Sequence, residues 1–140
     1  MPARTVYLVK RIETEITLQM NKALAEYGVT LAQYIILNFV NDNQKDLSSA
    51  QLSRRFKMTP QSMNETVTML QKKEMVVKNV DAENKRILRI SLTENGIEVL
   101  GFCNAAIDTL EQKLFGNISS EELSVFRKVI GTVLETTRQN

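Results

Sequence analysis

The chain has no histidine, a single cysteine and only five glycines, and these shortages remove most of the chemistry an enzyme of this size would use. Without histidine there is no Ser-His-Asp triad, no imidazole metal ligand and no side chain that titrates unperturbed near neutral pH. One thiol, Cys103, can close neither an internal disulfide nor a zinc site of the paired-cysteine kind. The glycines are scattered, which excludes a glycine-rich phosphate loop. Also missing are a run of about 18 apolar residues and an apolar stretch between a basic start and a small-residue cleavage site. The expectation is a cytoplasmic protein with no membrane partner, no cofactor and no enzymatic activity. Glu121 and Glu122 do pair two carboxylates, but they stand at a helix start, where the helix dipole accounts for them.

What is present is a globular composition with an uneven charge. At 140 residues, the chain suffices for one ordinary domain, or for a compact module with a long accessory helix at each end. Hydrophobic residues make up 43% and charged residues 24%, values typical of folded chains. The formal charge of +2 conceals a division. Residues 1–44 balance four bases against four acids, residues 45–90 hold ten bases against five acids, and residues 91–140 hold four bases against seven. A base excess confined to the middle third is the distribution expected when one module faces a polyanion and its flanks do not. A solvated charged surface is the other reading.

Helix starts are legible. Thr30 with Gln33, Ser48 with Gln51 and Ser119 with Glu122 have capping-box spacing: the hydroxyl accepts from the third helical N–H while the longer side chain reaches back. The apolar pairs Val29 and Tyr34, Leu47 and Leu52, and Ile118 and Leu123 flank them as hydrophobic staples. Thr59 before Pro60 marks a fourth start, because proline lacks the N–H that would be orphaned there. In that helix Met63, Val67 and Leu70 form the buried stripe, leaving Gln61, Ser62, Asn64, Glu65 and Thr68 on the polar faces.

Beyond it the period changes. Residues 75–80 and 87–92 read as strands joined by a polar tip, with Leu88, Ile90 and Leu92 on one face and Arg89 and Ser91 opposite. Thr93 then caps a long helix in which Leu100, Cys103, Ile107, Leu110 and Leu114 step by three and four, as do Leu123, Phe126, Ile130 and Val133 in the last helix. At the other end Leu8, Ile12, Ile16, Met20, Ala23, Leu24 and Tyr27 line one face of a helix of about 23 residues, closed by Gly28. Apolar faces of this length exceed what the central module covers, and a twofold-related second copy would bury both sets.

The order helix, turn, helix, hairpin within residues 47–92, between terminal helices, resembles the MarR family of winged-helix repressors. The likeness is carried by LSSAQLSRRFKMTPQSMNETVTMLQKKEMVVKNVDAENKRILRISLTENG. Within it, Leu70 to Val76 steps from recognition helix to strand. The wing NKRILRISLTENG is similar to the family's Asp-Arg-Arg wing running into a Leu-Thr-x-x-Gly helix start. The resemblance implies a mainly α (α+β) fold, a winged helix-turn-helix module with long terminal dimerisation helices. Residues 29–92 would bind DNA, and residues 1–28 and 93–140 would form the helical dimerisation region. It further implies a homodimeric repressor of a pseudo-palindromic double-stranded DNA operator, relieved by a small anionic aromatic or other amphipathic ligand.

Three positions depart from the family pattern. Asn84 stands where Asp is usual, which removes the carboxylate of the wing salt bridge expected to orient Arg86. Glu74 stands where Gly usually turns the chain out of the recognition helix. A left-handed backbone there would cost a non-glycine residue roughly 1 to 2 kcal/mol, so a turn of another type is expected. Glu65 replaces a base on the presumed DNA face, where a carboxylate can accept from a cytosine amino group.

For Gln61, Ser62, Asn64, Glu65 and Thr68 the expected role is contact with base edges or phosphates, against the alternative of a solvated helix face. Thr59 belongs to the same site as the helix cap. Lys85 and Arg86 are expected against the minor groove through the wing, with an ordinary charged turn as the alternative. Arg54 and Arg55 are expected at phosphates, with solvation of its own helix end as the alternative for one of them. Lys10, Arg11, Tyr34, Asn38 and Phe102 offer a cation, a hydrogen-bonding edge and apolar walls for the ligand, against the alternative of core packing. Gly101 leaves open a close helix approach or room for that ligand. Two other classes remain: a winged helix used only for protein interaction, and a regulator switched by oxidation of Cys103, whose plainer role is a small buried hydrophobe.

Overall fold

The computed structural model describes residues 3–43 and 48–139. These form α1 (Thr5–Ala25), α2 (Leu31–Asp42), α3 (Ser49–Arg55), α4 (Pro60–Lys72), β1 (Val76–Val80), β2 (Leu88–Leu92), α5 (Glu94–Phe115) and α6 (Ser120–Arg138). The architecture is mainly α with one small antiparallel sheet among the described residues, as expected. Two compact units divide the chain, one ending at Ile107 and the other beginning at Asp108.

The core of the first unit gathers one stripe from each element. Leu24 comes from α1, Leu37 and Val40 from α2, Leu52 from α3, Met63, Val67 and Leu70 from α4, and Leu100 and Cys103 from α5. Val76 and Ile90 bring in the hairpin, which packs against the helices rather than standing alone. Its register pairs Val76 with Leu92 and Val80 with Leu88. Ser48 adds an isolated antiparallel bridge to Arg89, tying the start of α3 to the wing.

Thr30 and Ser48 form complete capping boxes with Gln33 and Gln51. Val29 and Tyr34 are both buried as the staple requires, whereas Leu47 lies outside the described residues. At Ser119 the box is altered: its hydroxyl accepts from the Glu122 N–H, but donates to the Glu122 carboxylate at 3.1 Å. Thr59 caps α4 by accepting from the Ser62 N–H at 3.1 Å, with Pro60 in the first turn.

The exit from α4 corrects the expectation at Glu74. Its φ is 60°, so the left-handed turn is retained without glycine. The Glu74 N–H donates to the Gln71 carbonyl and the Met75 N–H to the Leu70 carbonyl, the paired bonds of a Schellman ending. The Glu74 carbonyl then accepts from the Thr93 hydroxyl and from Asn95 Nδ2, both at the start of α5. Burial of Leu70 and Met75 on either side over-determines the conformation, which offsets its local cost. The same ending recurs after α3, where Lys57 has φ 52° and Met58 N–H donates to the Ser53 carbonyl.

In the second unit Phe115 and Phe126 stand 6.3 Å apart, but α6 buries no residue. Val125, Val129, Ile130, Val133 and Leu134 along it are exposed. Gly101 opens onto space, with nothing within 4 Å of where a side chain would begin, so no close helix approach occupies it among the described residues. No helix among them is long and apolar enough to cross a membrane.

Candidate nucleic-acid interface

α4 is divided cleanly by burial. Met63, Val67 and Leu70 are 0% exposed, while Gln61, Ser62, Asn64 and Glu65 all face solvent and Thr68 is half-buried. The apolar stripe anchors the helix, so the polar face is presented on a rigid support. Gln61 Nε2 reaches Glu65 at 3.5 Å within the helix, and Ser49 Oγ donates to Asn64 Oδ1 at 2.7 Å from the start of α3. Ser49, Ala50, Pro60, Asn64, Arg86 and Leu88 are among the residues around a hollow of about 310 Å³, which brings α3, α4 and the wing to one surface.

The wing tip is shaped by side-chain-to-backbone turns. Asp81 accepts from the Asn84 N–H at 3.1 Å, and Asn84 accepts from the Arg86 N–H at 3.0 Å. Lys85 and Arg86 are exposed at this tip. The wing does contain a salt bridge: Arg89 Nε stands 3.5 Å from Asp81, and Arg89 Nη1 donates to Gln51 Oε1 at 3.3 Å. Asp81 and Arg89 thus supply the ion pair that Asn84 cannot, and Asn84 orients Arg86 through the backbone instead. Sequence reasoning missed this pairing, because it depends on the hairpin register that sets Asn79 opposite Arg89.

Arg54 and Arg55 both end α3 in the open. The Arg55 guanidinium lies over the Phe39 ring at 5.4 Å and near Phe56 at 6.0 Å, so aromatic faces hold it in part. Lys73, not singled out from the sequence, extends from the end of α4 to donate to the Gly28 carbonyl at 2.6 Å and to Gln33 Oε1 at 2.9 Å. It braces the recognition helix against the junction of α1 and α2.

The candidate ligand residues fall in different places. Tyr34 Oη donates to Asn104 Oδ1 at 2.6 Å, and Asn38 Nδ2 donates to the same oxygen at 3.4 Å. Phe102 stacks on Tyr27 with centroids 5.9 Å apart. Lys10 pairs with Glu13 at 2.9 Å, a bond that lowers the Glu13 carboxyl below its ordinary value. Lys10 and Arg11 line, with Leu8, Ile12, Thr14 and Glu15, a hollow of about 490 Å³ along α1. The structure therefore joins Tyr34 and Asn38 at Asn104, and sets Phe102 and the two cations elsewhere. Cys103 is fully buried, and burial pushes its thiol pKa up, the opposite of what a reactive thiolate requires.

A model of the MarR family matches residues 27–87. The HTH-type transcriptional repressor Rv2887 of Mycobacterium tuberculosis is 23% identical over 124 residues, which cover 89% of this chain and 88% of that protein. The HTH-type transcriptional regulator SarZ of Staphylococcus epidermidis is 30% identical over 110 residues, covering 77% and 71%. Among solved structures, a Staphylococcus aureus MepR–DNA complex superposes with a TM-score of 0.82 at 22% identity, covering 96% of each chain. The sequence relatives are regulators of transcription and not enzymes. With its helix-turn-helix, its hairpin wing and these relatives, the chain belongs to the MarR family of transcriptional regulators.

Proposed function

We propose that the protein is a homodimeric, sequence-specific repressor that sets α4 in a major groove of double-stranded DNA and the β1–β2 wing against the neighbouring minor groove. The observation that carries this reading is the joining of the exposed α4 face and Arg86 around one surface, while the opposite side of α4 is wholly buried. In this reading Gln61, Asn64 and Glu65 meet base edges, and Thr59, Ser62 and Thr68 meet sugar or phosphate. Lys85 and Arg86 enter the negative potential of the minor groove, and Arg54 and Arg55 meet flanking phosphates. Residues 29–92 act as the DNA module, with 1–28 and 93–140 as the dimer arms. The repressor name of the mycobacterial relative supports the sign of regulation. The test is a mobility-shift titration on the DNA upstream of the protein's own gene. Retention that weakens steeply between about 50 and 200 mM salt is expected from counterion release, and no retention, or retention indifferent to salt, defeats the reading.

Release by a small anionic aromatic ligand is the second part of the proposal, supported by the polar group that Tyr34 and Asn38 form with Asn104. A ligand acts only through unequal affinity for the DNA-competent and incompetent states, so DNA must weaken it by the same factor. Calorimetric titration of salicylate-like compounds with and without operator tests this, and equal affinity in both removes the ligand.

A further inference from the structure

The 2.7 Å bond from Ser49 Oγ to Asn64 Oδ1 joins the first turn of α3 to the exposed face of α4, fifteen residues further along the chain. Gln61 and Thr59, by contrast, direct their bonds within α4 itself. Both Ser49 and Asn64 lie on the surface they share with Arg86, so the bond sits inside the proposed DNA interface.

An asparagine amide carries an acceptor, Oδ1, and a donor pair on Nδ2. Reading adenine takes both atoms at once: Oδ1 accepts from the N6 amino group while Nδ2 donates to N7. Here Oδ1 is directed at α3, where it receives the Ser49 proton, and that bond ties one end of the amide to α3. The hydroxyl could also accept from Nδ2 if the amide were reversed, so the field beyond it selects between the two. Nδ2 is the atom left to face outward. A polyanion beyond it favours a donor in that position over a carbonyl oxygen, so DNA reinforces the orientation. We infer that Ser49 is a positioning residue that makes Asn64 a donor-only reader, selecting a base edge that offers acceptors alone: guanine through O6 and N7, or thymine through O4. The inference rests on the DNA-binding reading above and extends it to the chemistry of one base pair per half-site.

In vitro selection from a random duplex pool tests it, using the wild type, Ser49→Ala, Ser49→Thr and Asn64→Ala. Asn64→Ala identifies the position that Asn64 reads, as the one where base preference disappears. Guanine or thymine is expected there for the wild type, and for Ser49→Thr, which keeps the hydroxyl. Ser49→Ala, with the amide free to turn, is expected to shift that position toward adenine by about tenfold while leaving the rest of the motif unchanged. Because Ser49 is half-buried at most and its bond is to an exposed side chain, all four proteins are expected to melt together by circular dichroism. Adenine or cytosine at that position in the wild type, no position relaxed by Asn64→Ala, or an identical motif for wild type and Ser49→Ala, overturns the inference while leaving DNA binding intact. Enrichment of no motif by the wild type overturns the DNA-binding reading, and this inference with it.

Discussion

Glu74 and Gly96 meet at one corner of the fold and make opposite demands on their side chains. A Cβ on Gly96 would fall inside contact distance of the Met75 carbonyl oxygen, which is backbone and already receives the Thr93 N–H. Gly96→Ala must therefore push the start of α5 off the hairpin, and a loss of about 2 kcal/mol or more is expected in thermal or urea unfolding. Glu74 presents the reverse case, a side chain where the left-handed backbone favours none. Glu74→Gly is expected to raise stability by about 0.5 to 1 kcal/mol, with the larger freedom of the unfolded glycine offsetting part of the relief. A destabilised Glu74→Gly would mean that the carboxylate itself supports the turn. Cys103 makes a third residue-scale expectation. Buried, and with its thiol pKa raised, it should resist an aromatic disulfide reagent at neutral pH in the native protein and react fully in denaturant. Rapid native labelling would reopen the redox class.

At the scale of elements, helix beginnings and apolar stripes were legible because their causes are local. Thr30 with Gln33, Ser48 with Gln51 and Thr59 with Pro60 each act within four residues, and the structure contains all three caps. The stripe of Met63, Val67 and Leu70 follows from helical period alone, and it determines which face of α4 remains outside. What eluded the sequence reading joins distant segments: Arg89 to Asp81 and Gln51, Lys73 to Gly28, and Ser49 to Asn64. The left-handed Glu74 was missed for another reason, since tertiary packing on both sides overrode a local preference. For the recognition elements the expectation is a division of labour. Arg86→Ala should weaken binding to operator and random duplex alike, as loss of a groove or phosphate contact does. Asn64→Ala should cost about 1 to 3 kcal/mol on the operator and little on random DNA. Competition titrations with both duplexes decide, and an equal loss for Asn64→Ala on each would end its role as a base reader.

As a single copy the chain leaves two rows of apolar side chains in water. Val6, Tyr7, Leu8, Val9 and Ile12 are exposed on α1, and Val125, Phe126, Val129, Ile130, Val133 and Leu134 are exposed on α6. Burying a side chain of this kind is worth about 1.5 to 3 kcal/mol, so leaving both rows in water forgoes more than a typical domain's net stability. In the proposed homodimer, a twofold partner would cover such rows, because an isologous interface uses each surface twice. A charge placed in such an interface without a partner is strongly unfavourable. Ile130→Glu is therefore expected to shift the protein from dimer to monomer by analytical ultracentrifugation at micromolar concentration. Ile130 packs into no core, so the fold itself should survive by circular dichroism. The consequence for DNA follows from geometry: two recognition helices related by a twofold axis read successive major grooves when half-site centres lie about 10 base pairs, or 34 Å, apart. The dimer should prefer that spacing over one lengthened by about half a helical turn, whereas the Ile130→Glu monomer should bind both weakly and equally. A wild-type monomer, or spacing preference that persists in a monomeric variant, would separate DNA binding from the twofold assembly and leave the apolar rows of α1 and α6 to some other partner.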